Sequence, residues 1–196
     1  MQHSNQRRVL RSRKTSRLTN PPDGFRYTKN ILTPEEESEI VGYIEQLPLK
    51  EYEFQGYLAK RRTMAFGWHY DVAQEVVVRR HSIPEFLLPL RERAAAFAGL
   101  EADDLPHALV TEYTPGTPIG WHRDRPMFED VIGVSLLSRS LFRLRRRAAH
   151  GWERYTHILD PRSCYLMRGE VRNQWEHSIP EVDDLRYSIT FRSLRK

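Results

Sequence analysis

Arg186-Tyr187-Ser188-Ile189-Thr190-Phe191-Arg192 alternates polar and apolar residues without a break. Successive side chains of an extended chain face opposite ways, so the run reads as a strand with two sides. Arg186, Ser188, Thr190 and Arg192 share one side; Tyr187, Ile189 and Phe191 share the other. If the polar side turns inward, two arginines need an anion to make burial tolerable, and a dicarboxylate could engage both through guanidinium forks. The alternative is an edge strand whose polar face meets water.

Working outward, residues 109–113, 131–137, 141–144 and 164–167 have the same short β-like texture, punctuated by Pro115-Gly116, Asp160-Pro161 and Arg168-Gly169. Many short strands predict an α+β, mainly β architecture: a sandwich or jelly roll with N-terminal helices packed on one sheet. Thr33-Pro34-Glu35-Glu36 offers a hydroxyl cap, a first-turn proline and acids at the positive end of a helix. Ile40, Val41, Ile44 and Leu47 follow on one face, and Pro48 ends the element. A second helix is expected to open near Pro84, bury Phe86, Leu87, Leu90, Ala94 and Phe97, and stop at Gly99.

The 196 residues suit one domain, and no apolar run reaches the roughly 20 residues of a membrane span. The N-terminus is too polar for a secretory signal. A single cysteine excludes an internal disulfide framework and an all-cysteine zinc site; we expect a reducing, cytoplasmic setting and a monomer. The formal charge of +5 is uneven. Residues 1–18 hold Arg7, Arg8, Arg11, Arg13, Lys14 and Arg17 with no acid, leaving 25 basic against 26 acidic residues elsewhere. Residues 1–20 therefore read as a basic, disordered tail and 21–196 as the folded domain. The tail suits a phosphate-gripping arm, a solvated terminus or an Arg-rich transit segment. Arg143, Arg145 and Arg147 would share one strand face, as a phosphate track or a solvated edge.

His122 and Asp124 form an H-x-D pair after Thr117-Pro118-Ile119-Gly120. Residues i and i+2 of an extended chain point the same way, so an imidazole and a carboxylate can share an ion. One further imidazole would complete a two-His-one-carboxylate face, which suits Fe(II) and leaves positions open for substrate and O2. Alone, the pair is a weak signal. Cys164, inside an apolar run, reads as a buried small residue.

Tyr113-Thr114-Pro115-Gly116, Trp121-His122-Arg123-Asp124, residues 175–180 and the 186–192 run, in this order, resemble the AlkB family of Fe(II)- and 2-oxoglutarate-dependent dioxygenases. The resemblance covers roughly residues 50–195. It implies a double-stranded β-helix with His122, Asp124 and His177 as catalytic iron ligands. It further implies Arg186 on the far carboxylate of 2-oxoglutarate, Arg192 on the iron-chelating end, and Tyr113 with Ser188 beside them. Residues 54–70 would be the substrate lid, with Arg61, Arg62, Trp68 and Tyr70 on the substrate. Thr111 and Ser188 stand where the family often has Asn, and Pro126 where several repair members carry an acid. The implied activity is oxidative demethylation of N-alkylated DNA or RNA bases, releasing formaldehyde, succinate and CO2. The alternatives are a catalytically silent nucleic-acid-binding jelly roll, or the same chemistry on a protein or small molecule.

Overall fold

The computed structural model describes residues 15–54, 57–71, 76–79 and 81–195. Among them, eight strands build the larger sheet: β2 (Phe25–Thr28), β3 (Lys50–Phe54), β4 (Tyr57–Asp71), β5 (Val76–Arg79), β6 (His107–Tyr113), β8 (Phe128–Leu136), β11 (Ser163–Met167) and β13 (Arg186–Leu194). Their order is β2-β11-β8-β13-β6-β4-β3, with β5 beside β4. The smaller sheet holds β1 (Thr15–Arg17), β7 (Ile119–His122), β9 (Ser140–Ala148), β10 (Gly151–Leu159) and β12 (Glu176–Ile179), ordered β1-β10-β9-β12-β7. The two sheets face each other as a double-stranded β-helix, the expected jelly roll.

Thr33 caps the first helix, α1 (Pro34–Ile44), as its composition requires. Its hydroxyl accepts from the Glu36 amide at 3.2 Å, and the Glu36 carboxylate accepts from the Thr33 amide at 2.8 Å. The second element opens as a 3-10 turn at Glu85–Leu87 and becomes α2 (Leu88–Ala98), with Pro89 in its first turn. Gly99 closes it with φ of 68°, a left-handed conformation that costs glycine little. Ile40, Val41 and Ile44 from α1 and Leu87, Leu90 and Ala94 beside α2 join one core with Ile132, Val134, Tyr187, Ile189 and Phe191. The helices thus cover the back of the larger sheet. Among the described residues no helix is long and apolar enough to cross a membrane.

The second core lies between the sheets, where Tyr113, Val131, Tyr165 and Met167 meet Phe142, Leu144 and Leu159. Strand β13 sits between β6 and β8 and is buried through Ser193, so it is not an edge. Its apolar side enters the helix-covered core, and Arg186, Ser188, Thr190 and Arg192 face the space between the sheets. Residues 15–17, expected within the tail, instead pair in parallel with β10, and residues 1–14 lie outside the described residues.

Candidate active site

Pairing of β7 with β12 sets His122 opposite His177, and the rings lie 4.1 Å apart between centroids. The Nδ1 of His122 is 2.9 Å from the carbonyl oxygen of Gly120. A carbonyl only accepts, so Nδ1 carries a proton and Nε2 is the ring nitrogen left to ligate. Burial, then the neighbouring His122, lowers the pKa of His177 to about 3, so this imidazole is neutral.

Asp124 follows β7 in the loop to β8. One oxygen, Oδ1, accepts from Arg192 Nε at 2.9 Å and pairs with Nη2 at 2.8 Å. The other, Oδ2, is buried without a hydrogen-bond partner and stands 3.6 Å from His177 Nε2. Burial alone would raise the Asp124 pKa; the nearby charge of Arg192, then the two histidines, overrides it and holds the carboxyl well below the usual carboxylate range. Arg172 steadies the loop beyond, donating through Nη2 to the carbonyls of Arg125 and Phe128, each at 2.7 Å.

Among the described residues no three His, Cys, Asp or Glu side chains form a ready-made metal cage; the trio meets pairwise. Its donor chemistry nevertheless fits a divalent iron. It offers one neutral buried imidazole, a second whose Nε2 is free of the Gly120 contact, and an ionised carboxylate with an unsatisfied oxygen.

Deeper between the sheets lies Arg186, fully buried. Its Nε donates to Ser135 Oγ at 3.0 Å, while Nη1 and Nη2 have no hydrogen-bond partner. Its guanidinium carbon is 5.0 Å from the centre of the Tyr113 ring. Burial pulls its pKa down from the ordinary arginine value, against the pull of Tyr113 and Tyr165. A guanidinium held dry with two unused donor groups fits a carboxylate. Ser188 pairs in register with Thr111, and both line the cavity with Tyr113, Arg192, His177 and Asp124. The cavity measures about 910 Å³.

Two contributors escaped the sequence reading. Tyr165 crosses from β11 into the cavity wall, and Gly133 on β8 leaves it room. A Cβ on Gly133 would come within 2.2 Å of the Tyr165 ring. An isolated glycine in a strand is the sequence signal for such a close approach.

The lid residues separate. Residues 62–67 pair in register with β6, so this stretch extends the larger sheet. Arg61 lines the cavity, together with Thr63 and Ala65. Arg62, expected on the substrate, points to the opposite face and grips buried Glu112 with two hydrogen bonds of 2.7 Å. Neighbours on a strand cannot share a face, and that rule separates the pair. Trp68 is 38% exposed and is not part of the cavity wall. The Tyr70 side chain lies outside the described residues. Cys164 is fully buried, and burial pushes its thiol pKa up.

The Alkylated DNA repair protein ALKBH8 homolog of Arabidopsis thaliana is 29% identical over 165 residues. That match takes in 71% of this chain and 48% of the plant protein, so the chain spans about half the length of that relative. Uncharacterized protein L905 of Acanthamoeba polyphaga mimivirus is 24% identical over 191 residues, 89% of this chain and 86% of the viral one. The solved structure of OsALKBH1 superposes with a TM-score of 0.68 at 15% identity, covering 89% of this chain and 98% of that one. At that identity it speaks for the fold. The sequence model of the 2OG-Fe(II) oxygenase superfamily matches residues 24–192, nearly the whole chain. With its AlkB-like relatives and fold, this chain belongs to the 2OG-Fe(II) oxygenase superfamily, whose members use iron(II), 2-oxoglutarate and O2.

Proposed function

We propose that the protein oxidatively demethylates N-alkylated bases in DNA or RNA, with release of formaldehyde, succinate and CO2. The observations that carry the chemistry are the orphaned Oδ2 of Asp124 in the cavity wall and, packed behind the cavity-lining Tyr113, the fully buried Arg186 with two nitrogens that have no hydrogen-bond partner. The first awaits a cation and the second an anion. The nucleic-acid part rests on the plant relative, which is described as an alkylated DNA repair protein, and on the excess of basic over acidic residues.

In this reading His122, Asp124 and His177 would hold iron. When bound, iron with 2-oxoglutarate and O2 supplies the oxidant that hydroxylates an N-methyl carbon, after which the hemiaminal loses formaldehyde. The protein's own work is placement. Arg186 would take the far carboxylate of the cosubstrate, with Tyr113 and Ser188 alongside. Arg192 holds Asp124 ionised and aimed, and would present charge to the near end of the cosubstrate. The Gly120 carbonyl engages His122 Nδ1, which would leave Nε2 to the iron. Phe142 and Tyr165 exclude bulk water from this end of the cavity. Arg61, where β4 lines the cavity, would meet the substrate. The cytoplasmic, monomeric setting expected from the sequence stays part of this proposal.

The test is formaldehyde and succinate release from N-methylated DNA and RNA oligonucleotides supplied with Fe(II) and 2-oxoglutarate. His177→Ala and Asp124→Ala are expected to abolish both products; turnover retained in both variants overturns the iron assignment. Succinate without formaldehyde on every oligonucleotide would move the reaction to a protein or small-molecule substrate.

A further inference from the structure

Strand β9 presents Phe142 and Leu144 to the inter-sheet core, so Arg143, Arg145 and Arg147 face out. Residues paired across strands share a face, and the pairings extend this one on both sides. Trp152, Arg154 and Thr156 of β10 lie opposite Arg147, Arg145 and Arg143. Arg17 of β1 lies opposite Arg154, and Glu176 and Ser178 of β12 lie opposite Arg145 and Arg143. The outer face of the smaller sheet therefore gathers five arginines against one glutamate.

Two tryptophans organise them. Arg143 and Arg145 lie 5.2 and 4.4 Å from the Trp121 ring, and Arg145 and Arg147 lie 4.3 and 5.2 Å from the Trp152 ring. An arginine held over an indole keeps its in-plane N–H edge available, so stacking fixes the guanidinium without using its donors. Arg145 is partly spent on Glu176 at 2.5 Å, and Arg143 donates to Ser178 Oγ at 3.1 Å. Arg17, Arg147 and Arg154 make no ion pair with a carboxylate among the described residues. The row also has a direction. Trp121 adjoins His122 and lines the cavity, while Arg17 marks the far edge. The basic stretch of residues 7–14 immediately precedes that edge in the sequence.

We propose that this tryptophan-braced arginine row is a phosphate-binding track that carries the nucleic-acid strand from the cavity mouth across the smaller sheet. The track rests on the nucleic-acid reading above, but it can be measured without turnover. Five strands about 4.8 Å apart make it roughly 19 Å wide, enough for several phosphates.

The experiment is a salt titration of binding, by fluorescence anisotropy, of an unmethylated single strand of about 16 nucleotides to the full chain without iron or 2-oxoglutarate. In Arg143→Gln/Arg147→Gln/Arg154→Gln the slope of log K against log salt is expected to flatten by about 2, at about 0.7 per lost phosphate contact. A charge-matched control on the helix-covered side, Arg26→Gln/Arg91→Gln/Arg93→Gln, is expected to keep the parent slope. An unchanged slope in the first variant, or equal flattening in both, overturns the track. Demethylation with an insensitive slope would keep the function and remove the track; a sensitive slope without demethylation would do the reverse.

Discussion

The two sheets differ in what lies behind them. Helices α1 and α2 bury the back of the larger sheet in a continuous apolar core, whereas the back of the smaller sheet carries arginines and tryptophans. The backed sheet holds the fully buried Arg186 and nearly buried Arg192, groups whose desolvation demands firm surroundings. The open sheet contributes both histidines from its inner face, and its outer face stays available. Both sheets use the same two-residue alternation. The identity of the outward set decides whether a helix or a ligand covers it.

The sharpest way to break this comparison is Arg186→Met. It removes a buried charge whose Nη1 and Nη2 have no partner within the protein, so the cosubstrate-free protein is expected to melt higher, by about 2–4 °C per kcal/mol relieved. Its KM for 2-oxoglutarate is expected to rise by about 30-fold or more. Saturating 2-oxoglutarate with a redox-inert divalent metal should stabilise the parent by about 2.7 kcal/mol at a hundredfold excess over Kd, and the variant far less. A lower melting point in Arg186→Met would mean that the guanidinium is already satisfied.

Next in size is Gly133→Ala. Its methyl group would meet the Tyr165 ring at 2.2 Å, so the ring must move into the cavity. A loss of about 1–3 kcal/mol is expected in denaturant unfolding, together with weaker 2-oxoglutarate binding. Adding Tyr165→Ala should recover part of the binding; no recovery would place the damage elsewhere. The smallest contrast separates two neighbours on β4. Arg62→Ala leaves buried Glu112 its Tyr187 hydrogen bond but removes the bidentate arginine, and is expected to cost about 1–2 kcal/mol of stability while sparing the substrate KM. Arg61→Ala is expected to raise the substrate KM, which Arg62→Ala leaves unchanged.

Much of this was legible in the chain because its signals are local. The 186–192 alternation identified a strand and its polar side from seven consecutive residues, and Thr33 with Glu36 specified a helix start within four. Neither signal says what lies across the gap. His177 is 55 positions from His122, and only the pairing of β12 with β7 brings them face to face. The Arg62–Glu112 grip is likewise a product of sheet register, invisible to a reading that took residues 54–70 as a lid. Tyr165 read as one more apolar strand residue; its place in the cavity depends on the missing side chain at Gly133 on a neighbouring strand. Helix α3 (Gly169–Gln174) is too short for a hydrophobic period to announce it, yet it carries Arg172.

Strand β1 has a consequence beyond the charge it brings. It covers only the Trp152–Arg154 portion of β10, the outermost long strand of its sheet. A truncation beginning at residue 19 therefore removes more than arginines: it uncaps the Trp152–Arg154 portion and leaves β10 open to a foreign strand along its whole length. Such a protein is expected to self-associate edge to edge in a concentration-dependent way, whereas one beginning at residue 15 keeps its guard strand and stays dispersed.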